Sequence, residues 1–289
     1  MRMCSCRGTA GFAHVSCLAE QAKILFAEAE ENNLGEKVLT ERWNRWDVCS
    51  LCEQHYHGVV KCALGWACWK TYVGRPEADR VQSSAMGLLG VGLSNAKHHE
   101  AALSVEEANL AMMRRIGAPE YSILVAQSNI AVTYGTLGRL EEALQMKRDV
   151  YSGHVKLNGE GHLDSLGAAN NYASSLLSLQ RFEEAKALFR KTMPVARRAL
   201  GEDNKLTLTL RWCYAEALYT DPDATLDDLR EALRTLLETE RTTRRVLGGA
   251  HPLTTSIERE IQNSQAALAA REAVESIRES VEAMTPGDV

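Results

Sequence analysis

The sequence has no apolar run long enough to cross a bilayer. The longest stretches, Ala85 to Leu93 and Val59 to Trp69, fall far short of the roughly 20 residues a spanning helix needs, and the second contains Lys61. No signal-peptide core follows the basic residues Arg2 and Arg7 before Glu20, so secretion is not expected and the thiols are expected to stay reduced. Basic charge is not in excess either: the formal charge is -5, with +1 over residues 1–75 and -6 over residues 76–289. That balance gives no basic face for a nucleic acid. Cysteine is almost missing from the last two thirds, where only Cys213 occurs, while the other seven lie between Cys4 and Cys68. Such clustering favours a local metal site over a disulfide framework. There is no Ser, His and acid set at a nucleophile elbow. The glycines of Gly87-Leu-Leu-Gly90-Val-Gly92 have neither a strand before them nor a phosphate-binding lysine. What remains is a cytoplasmic protein of 289 residues, 45% hydrophobic and 25% charged, with ordinary globular composition.

The head of the chain carries the donor atoms. Cys4, Cys6, His14, Cys17, Cys49 and Cys52 fall into three short chelating pairs, C-x-C, H-x2-C and C-x2-C, each able to offer two ligands to one ion. Leu18, Ala22, Leu25, Phe26 and Ala29 recur at helical spacing and predict a helix to about Glu31, ended by Asn32, Asn33 and Gly35. Trp43 and Trp46 lead into Cys49 and read as an apolar platform packing the metal site, with partner binding as the alternative. A further helix is expected from Gly58 to Tyr72, with Gly74, Arg75 and Pro76 closing the domain over residues 1–75.

Beyond it the sequence repeats. Four segments open Met86-Gly-Leu-Leu-Gly, Gln127-Ser-Asn-Ile-Ala, Ala169-Asn-Asn-Tyr-Ala and Arg211-Trp-Cys-Tyr-Ala, 41, 42 and 42 residues apart. Each then reaches a small residue, Ala102, Ala143, Ala185 or Ala232, where two helices are expected to cross closely. A period near 42 with two helical stretches per unit predicts a helix-turn-helix array over residues 80–252. Gly138 and Gln180 mark tight inner turns; Gly159, Gly201 and Gly248 mark longer outer ones and are candidates for positive φ. The inner turn of the fourth unit is longer, and Thr225 with Asp228 reads as a helix cap rather than part of a calcium loop. Pro194 is expected to kink or break its helix. Residues 253–284 form one long amphipathic helix that should cap the array, with Ile257, Ile261, Leu268, Val274 and Ile277 in its pattern.

The ligand spacing, with Cys6-Arg-Gly-Thr-Ala-Gly and His14-Val-Ser-Cys17-Leu18, resembles the RING-CH (RING-variant) zinc finger, of whose eight ligand positions six are matched. The opening C-x2-C of that pattern does not occur, and the 31-residue gap before Cys49 is longer than usual. The resemblance implies a cross-braced arrangement. Cys4, Cys6, Cys49 and Cys52 would close one four-thiolate Zn2+ site, and His14 with Cys17 would supply half of a second. Cys62, Cys68, His55 and His57 are conceivable substitutes for the missing pair; Cys62 and Cys68 read more simply as small buried residues. The repeats resemble tetratricopeptide units of the kinesin light chain type through their period and their Asn-Asn, Glu-Glu-Ala and Gly-x-x-His landmarks. That resemblance implies a groove for extended peptides, with Asn129 and Asn171 as peptide-binding positions, or else as structural ones. The matching slots in the first and fourth units hold Leu88 and Cys213.

The expected architecture is therefore mostly α: a small zinc-bound RING-like head, a right-handed α-solenoid of about four helix-turn-helix repeats, and a C-terminal capping helix. Two functions follow from the resemblances. In one, a zinc-binding repeat adaptor acts as a RING-type ubiquitin ligase, recruiting a target through its repeats and a ubiquitin-conjugating enzyme through Leu18, Trp43 and Trp46, and catalysing by positioning. In the other, the chain is a non-enzymatic interaction scaffold and zinc is purely structural. Neither takes nucleic acid or a membrane span.

Overall fold

The computed structural model describes residues 14–284 and their side chains as far as residue 280. Among the described residues there are twelve α-helices, a 3-10 turn over Asn44–Trp46 and one isolated β-bridge between Val48 and His55. No helix among them is long and apolar enough to cross a membrane. The chain divides into two compact units, residues 1–143 and 144–289.

The first unit holds α1 (Val15–Glu31), α2 (Gly35–Trp43), α3 (Gly58–Tyr72), α4 (Arg80–Asn95), α5 (His99–Arg115) and α6 (Glu120–Thr136). The helix expected after Cys17 and the one expected from Gly58 are present as α1 and α3. α2 was not anticipated, because its Gly-Glu-Lys-Val-Leu-Thr-Glu-Arg-Trp sequence has no buried residue to make an apolar stripe legible. Phe26, Trp43, Trp46 and Tyr72 meet edge-on or tilted, with ring centroids 5.1 to 6.0 Å apart, and join α1, α2 and α3.

The glycine run of α4 is a packing surface. A Cβ at Gly92 would lie 2.9 Å from the Lys61 carbonyl oxygen and 3.0 Å from the Cys62 Cα, and one at Gly65 would lie 2.8 Å from the Leu88 carbonyl oxygen. α3 and α4 thus touch backbone to backbone, so the boundary expected near residue 75 does not separate the head from the first repeat in packing. On the other flank of α4, Gly90 makes room for Glu106 of α5, whose Cγ would be 2.8 Å from an added Cβ. Glu106 is buried and accepts a hydrogen bond from Thr133 Oγ1 at 2.8 Å, which satisfies a carboxylate that burial pushes toward its protonated form.

The second unit holds α8 (Leu163–Ser178), α9 (Phe182–Leu200), α10 (Lys205–Tyr219), α11 (Leu226–Leu247) and α12 (Pro252–Met284); α7 (Leu140–Asn158) runs into it across the division. Ala185, Phe189, Leu208, Leu218, Ala232 and Leu236 are all fully buried in one core. Ala185 and Ala232 are the landmarks at which close crossings were expected. The turn glycines Gly138, Gly159, Gly201 and Gly248 have φ of 76, 85, 91 and 89°, and Lys97 and Gln180 take the same left-handed conformation at the inner-turn positions. Thr225 caps α11 in a full capping box with Asp228. Asp221, on the long inner turn, pairs with the buried Lys186 at 2.7 Å.

α9 runs unbroken through Pro194, so of the expected kink or break the break does not occur. Pro194 lies on an exposed side of the helix, where water can serve the carbonyl that loses its partner. α12 caps α10 and α11 only in part. Leu253, Ile257 and Ser264 are buried, whereas Val274 and Ile277 are exposed.

Two stability measurements test this packing. Gly92→Ala should lower the thermal midpoint of the chain by circular dichroism, by about 1–3 kcal/mol of overpacking. Gly135→Ala, in α6 with nothing within 4 Å of its Cβ, should instead gain about 1 kcal/mol of helix propensity. Thr225→Ala should cost about 1 kcal/mol by removing the cap of α11, read as a loss of amide-exchange protection in its first turn.

Candidate functional site

Two places bring together the residues that the sequence singles out. The first is the head. Cys49 and Cys52 sit at the two ends of a tight turn, in which the Glu53 amide donates to the Cys49 carbonyl and the Cys49 amide to the Gln54 carbonyl, both at 2.9 Å. Glu53 has φ 54°, which folds the chain back so that Val48 and His55 form the β-bridge. Asp47 ties the turn down, forming an ion pair with Lys61 Nζ at 2.8 Å and lying 2.6 Å from His55 Nδ1. A two-thiol turn closed in this way is a sound half-site for a tetrahedral metal.

Cys49 is buried with Tyr56, Val60 and Leu64, and Val15, Leu18 and Cys52 pack on the same cluster. The first turn of α1 therefore lies beside the cysteine turn. His14 immediately precedes α1, and its Nδ1 is 4.0 Å from Cys17 Sγ, so the two side chains of the H-x2-C pair lie side by side. Cys4 and Cys6 lie outside the described residues. Among the described residues no three His, Cys, Asp or Glu side chains converge on one point. The donors of the Cys49–Cys52 turn fit zinc, provided the remaining two come from residues 4 and 6.

One sequence expectation is corrected here, and one is met. The tryptophans do not pack the cysteine turn: Trp46 is 2% exposed in the cluster of α1, α2 and α3, and the turn rests on Tyr56, Val60 and Leu64 instead. Cys62 and Cys68 pack as small apolar side chains, the simpler of the two readings, and do not complete the His14–Cys17 pair. Cys68 is fully buried among the aromatic side chains, where desolvation pushes its thiol far above the usual range. Cys62 packs against Leu89, Leu93 and Ala102, and the His55 ring is engaged by Asp47.

The second place is a groove in the first unit, a cavity of about 310 Å3 between α4 and α6 with α5 as its floor. Asn129 lines it, along with Arg80, Ser84, Met113, Val125 and Ala126. Tyr121, Val125 and Val132 leave apolar surface exposed along α6. Asn109 reaches the groove from α5, where it is 6% exposed. Its Nδ2 donates to the Ser83 carbonyl at 3.2 Å and its Oδ1 accepts from Ser83 Oγ at 2.9 Å. Sequence reasoning missed Asn109 because it sits on the second helix of the unit, outside the aligned Asn positions; Arg80, at the start of α4, carried no signal.

Asn171 lies in the second unit, exposed on α8, while the Oδ1 of its neighbour Asn170 is buried without a hydrogen-bond partner. The slots in the outer units do not extend a ladder: Leu88 packs on the aromatic cluster of the head. Cys213 is buried in the core of the second unit, and burial pushes its thiol up to about 12. A larger cleft of about 660 Å3 lies over α10 between α9 and α11. Its charges are largely spent on one another, as Arg211 bonds Glu238 at 2.8 Å and Tyr214 donates to Glu231 at 3.0 Å.

Comparison with known proteins addresses the helical part. The tetratricopeptide repeat family model matches residues 123–164 and 165–204. The Clustered mitochondria protein homolog of Debaryomyces hansenii is 26% identical over 149 residues, which are 49% of this chain and 11% of that protein. The chain thus spans about a tenth of that relative's length. Among solved structures, the nearly identical TPR-like repeats of a putative kinesin light chain of Podosopora anserina superpose with a TM-score of 0.57. That match is 14% identical and covers 81% of this chain and 98% of that one. The apo form of RapI superposes with a TM-score of 0.51 at 12% identity, over 91% of this chain and 88% of its own. At such identities these likenesses concern the fold. Together with the 42-residue period and the turn geometry, they establish that the chain carries tetratricopeptide repeats in a TPR-like helical fold.

Proposed function

We propose that the chain is a non-enzymatic interaction scaffold, in which the repeats hold a protein ligand as an extended segment and zinc serves only to fold the N-terminus. The observation that carries this reading is the groove between α4 and α6, where Asn129 stands beside exposed Tyr121 and Val125 in a repeat fold suited to protein ligands. A carboxamide can donate to and accept from one peptide unit, so Asn129 can hold a backbone whatever its side chains, while the apolar stripe of α6 adds selectivity. Asn171, exposed on α8, is placed to act in the same way on its own unit.

Selection from a displayed library of extended peptides tests it. Peptides enriched on the intact chain should lose at least tenfold in affinity, about 1.4 kcal/mol, in Asn129→Ala and in the groove-filling Ala126→Arg. Enrichment of no peptide, or of peptides indifferent to both changes, would sink the reading.

In the same proposal Cys4, Cys6, Cys49 and Cys52 hold one zinc ion, supported by the closed turn at Cys49 and Cys52. When bound, zinc would draw the thiolates together and tie residues 4–6 to the base of α3. Metal analysis of the purified chain should give close to one zinc. Cys52→Ser should lose the metal and lower the melting temperature, and Cys17→Ser should leave the zinc content unchanged.

A second reading, that the head also engages a ubiquitin-conjugating enzyme, draws support from Leu51, which is 73% exposed at the tip of the cysteine turn. It loses Trp46, which is spent in the core. An autoubiquitination assay of the zinc-loaded chain with a panel of conjugating enzymes separates the two: a Leu51-dependent product favours the ligase, and silence throughout favours the scaffold.

A further inference from the structure

α12 is longer than the surface it covers. It forms an antiparallel hairpin with α11, and the far end of that hairpin is marked by two contacts. Arg230 Nη2 lies 3.3 Å from Glu272 Oε1, and Arg271 Nη2 donates to the Pro222 carbonyl at 2.8 Å. Residue 272 is therefore level with the first turn of α11, which begins at Leu226. The helix continues to Met284, a further ~18 Å at 1.5 Å per residue. No described side chain after Ser264 is buried, and from Glu272 onward all are exposed. This overhang is not simply polar: Val274 and Ile277 are 59% and 64% exposed, one turn apart, with Glu275 and Glu279 beside them.

The complementary surface lies on the same hairpin. Between α11 and α12 is an open groove of about 300 Å3 with Leu233, Leu237 and Leu268 along it, Arg234 and Arg241 at its sides, and a single carboxylate, Glu238, that is bonded to Arg211. Neither Arg234 nor Arg241 has a hydrogen-bond or ion-pair partner among the described residues, whereas Arg230 and Arg244 are both paired. An apolar floor flanked by two unspent guanidiniums suits a short helix that is apolar on one face and acidic beside it.

We infer that the occupant is the overhanging end of α12 from a second copy of the chain, and that two copies exchange these ends across a two-fold axis. Val274 and Ile277 of one copy enter the Leu233, Leu237 and Leu268 groove of the other, and Glu275 and Glu279 meet Arg234 and Arg241. The contact is isologous, because each chain supplies one tail and one groove. Two antiparallel α12 helices put the overhang of each beside the hairpin of the other. The patches are small, so the dimer should be weak, with a dissociation constant on the order of micromolar.

Sedimentation velocity of the full chain over a concentration series tests this. The wild type should pass from monomer to dimer as concentration rises, with the dimer weakened by salt. Ile277→Asp on the tail and Leu237→Glu in the groove should each raise the dissociation constant at least tenfold. Both positions are solvent-facing, so unchanged circular dichroism should show that folding is retained. The decisive arm is the mixture: the Ile277→Asp chain keeps a sound groove and the Leu237→Glu chain a sound tail, so a mixed dimer retains one intact contact of its two and should pair more tightly than either variant alone. The charge swap of Arg234→Glu and Arg241→Glu should likewise be rescued by Glu275→Arg with Glu279→Arg. A chain that stays monomeric throughout, a dimer indifferent to both substitutions, or variants that fail to complement each other would overturn the proposal. The first of these outcomes would leave the groove to a different acidic helix.

Discussion

Close approach of helices at residues with little or no side chain is the constraint on which the rest of this structure depends. At Gly65 and Gly92 two helices meet through backbone atoms, and Ala102, Ala185 and Ala232 are fully buried between helices. Dispersion contacts are strongest where no void is left, so these residues set how the neighbouring faces are aligned. Larger side chains then fill the spaces on either side, as Phe189 and Leu236 do in the second unit.

That constraint also decides which residues remain for binding. The glycine run of α4 packs against α3 on one flank and makes room for Glu106 on the other, so its apparent likeness to a phosphate loop has a wholly steric cause. Of the polar groups that line the groove, Asn129 faces it from α6, whereas Asn109 is buried with both ends of its amide bonded to Ser83. In the second unit the same logic buries Cys213 at the slot where other repeats have asparagine. It also pairs Arg197 and Arg211 over α10 with Glu202 and Glu238. The unspent guanidiniums, Arg234 and Arg241, stand at the last hairpin, on the part of α11 that α12 leaves uncovered.

The head obeys a different rule. Its cysteine turn is held by a small apolar cluster and one ion-paired aspartate rather than by helix crossings. The aromatic cluster of Phe26, Trp43, Trp46 and Tyr72 serves instead to anchor this end to the helical body through α3.

By itself the sequence determined the helical class, the period, the turns and one groove asparagine. These are local properties: the 3.6-residue spacing of apolar positions, glycine at positive φ, the Thr225 to Asp228 cap, and a landmark alanine in each unit. Tertiary structure decided the rest, because it depends on which faces meet. It joined the head to the first repeat through Gly65 and Gly92, and placed the tryptophans away from the cysteine turn. It kept α9 intact through an exposed Pro194, and recruited Asn109 from a second helix. It also left Val274 and Ile277 bare on a helix whose pattern promised burial: periodicity shows that a face is apolar, and only the arrangement of neighbouring helices shows whether anything covers it.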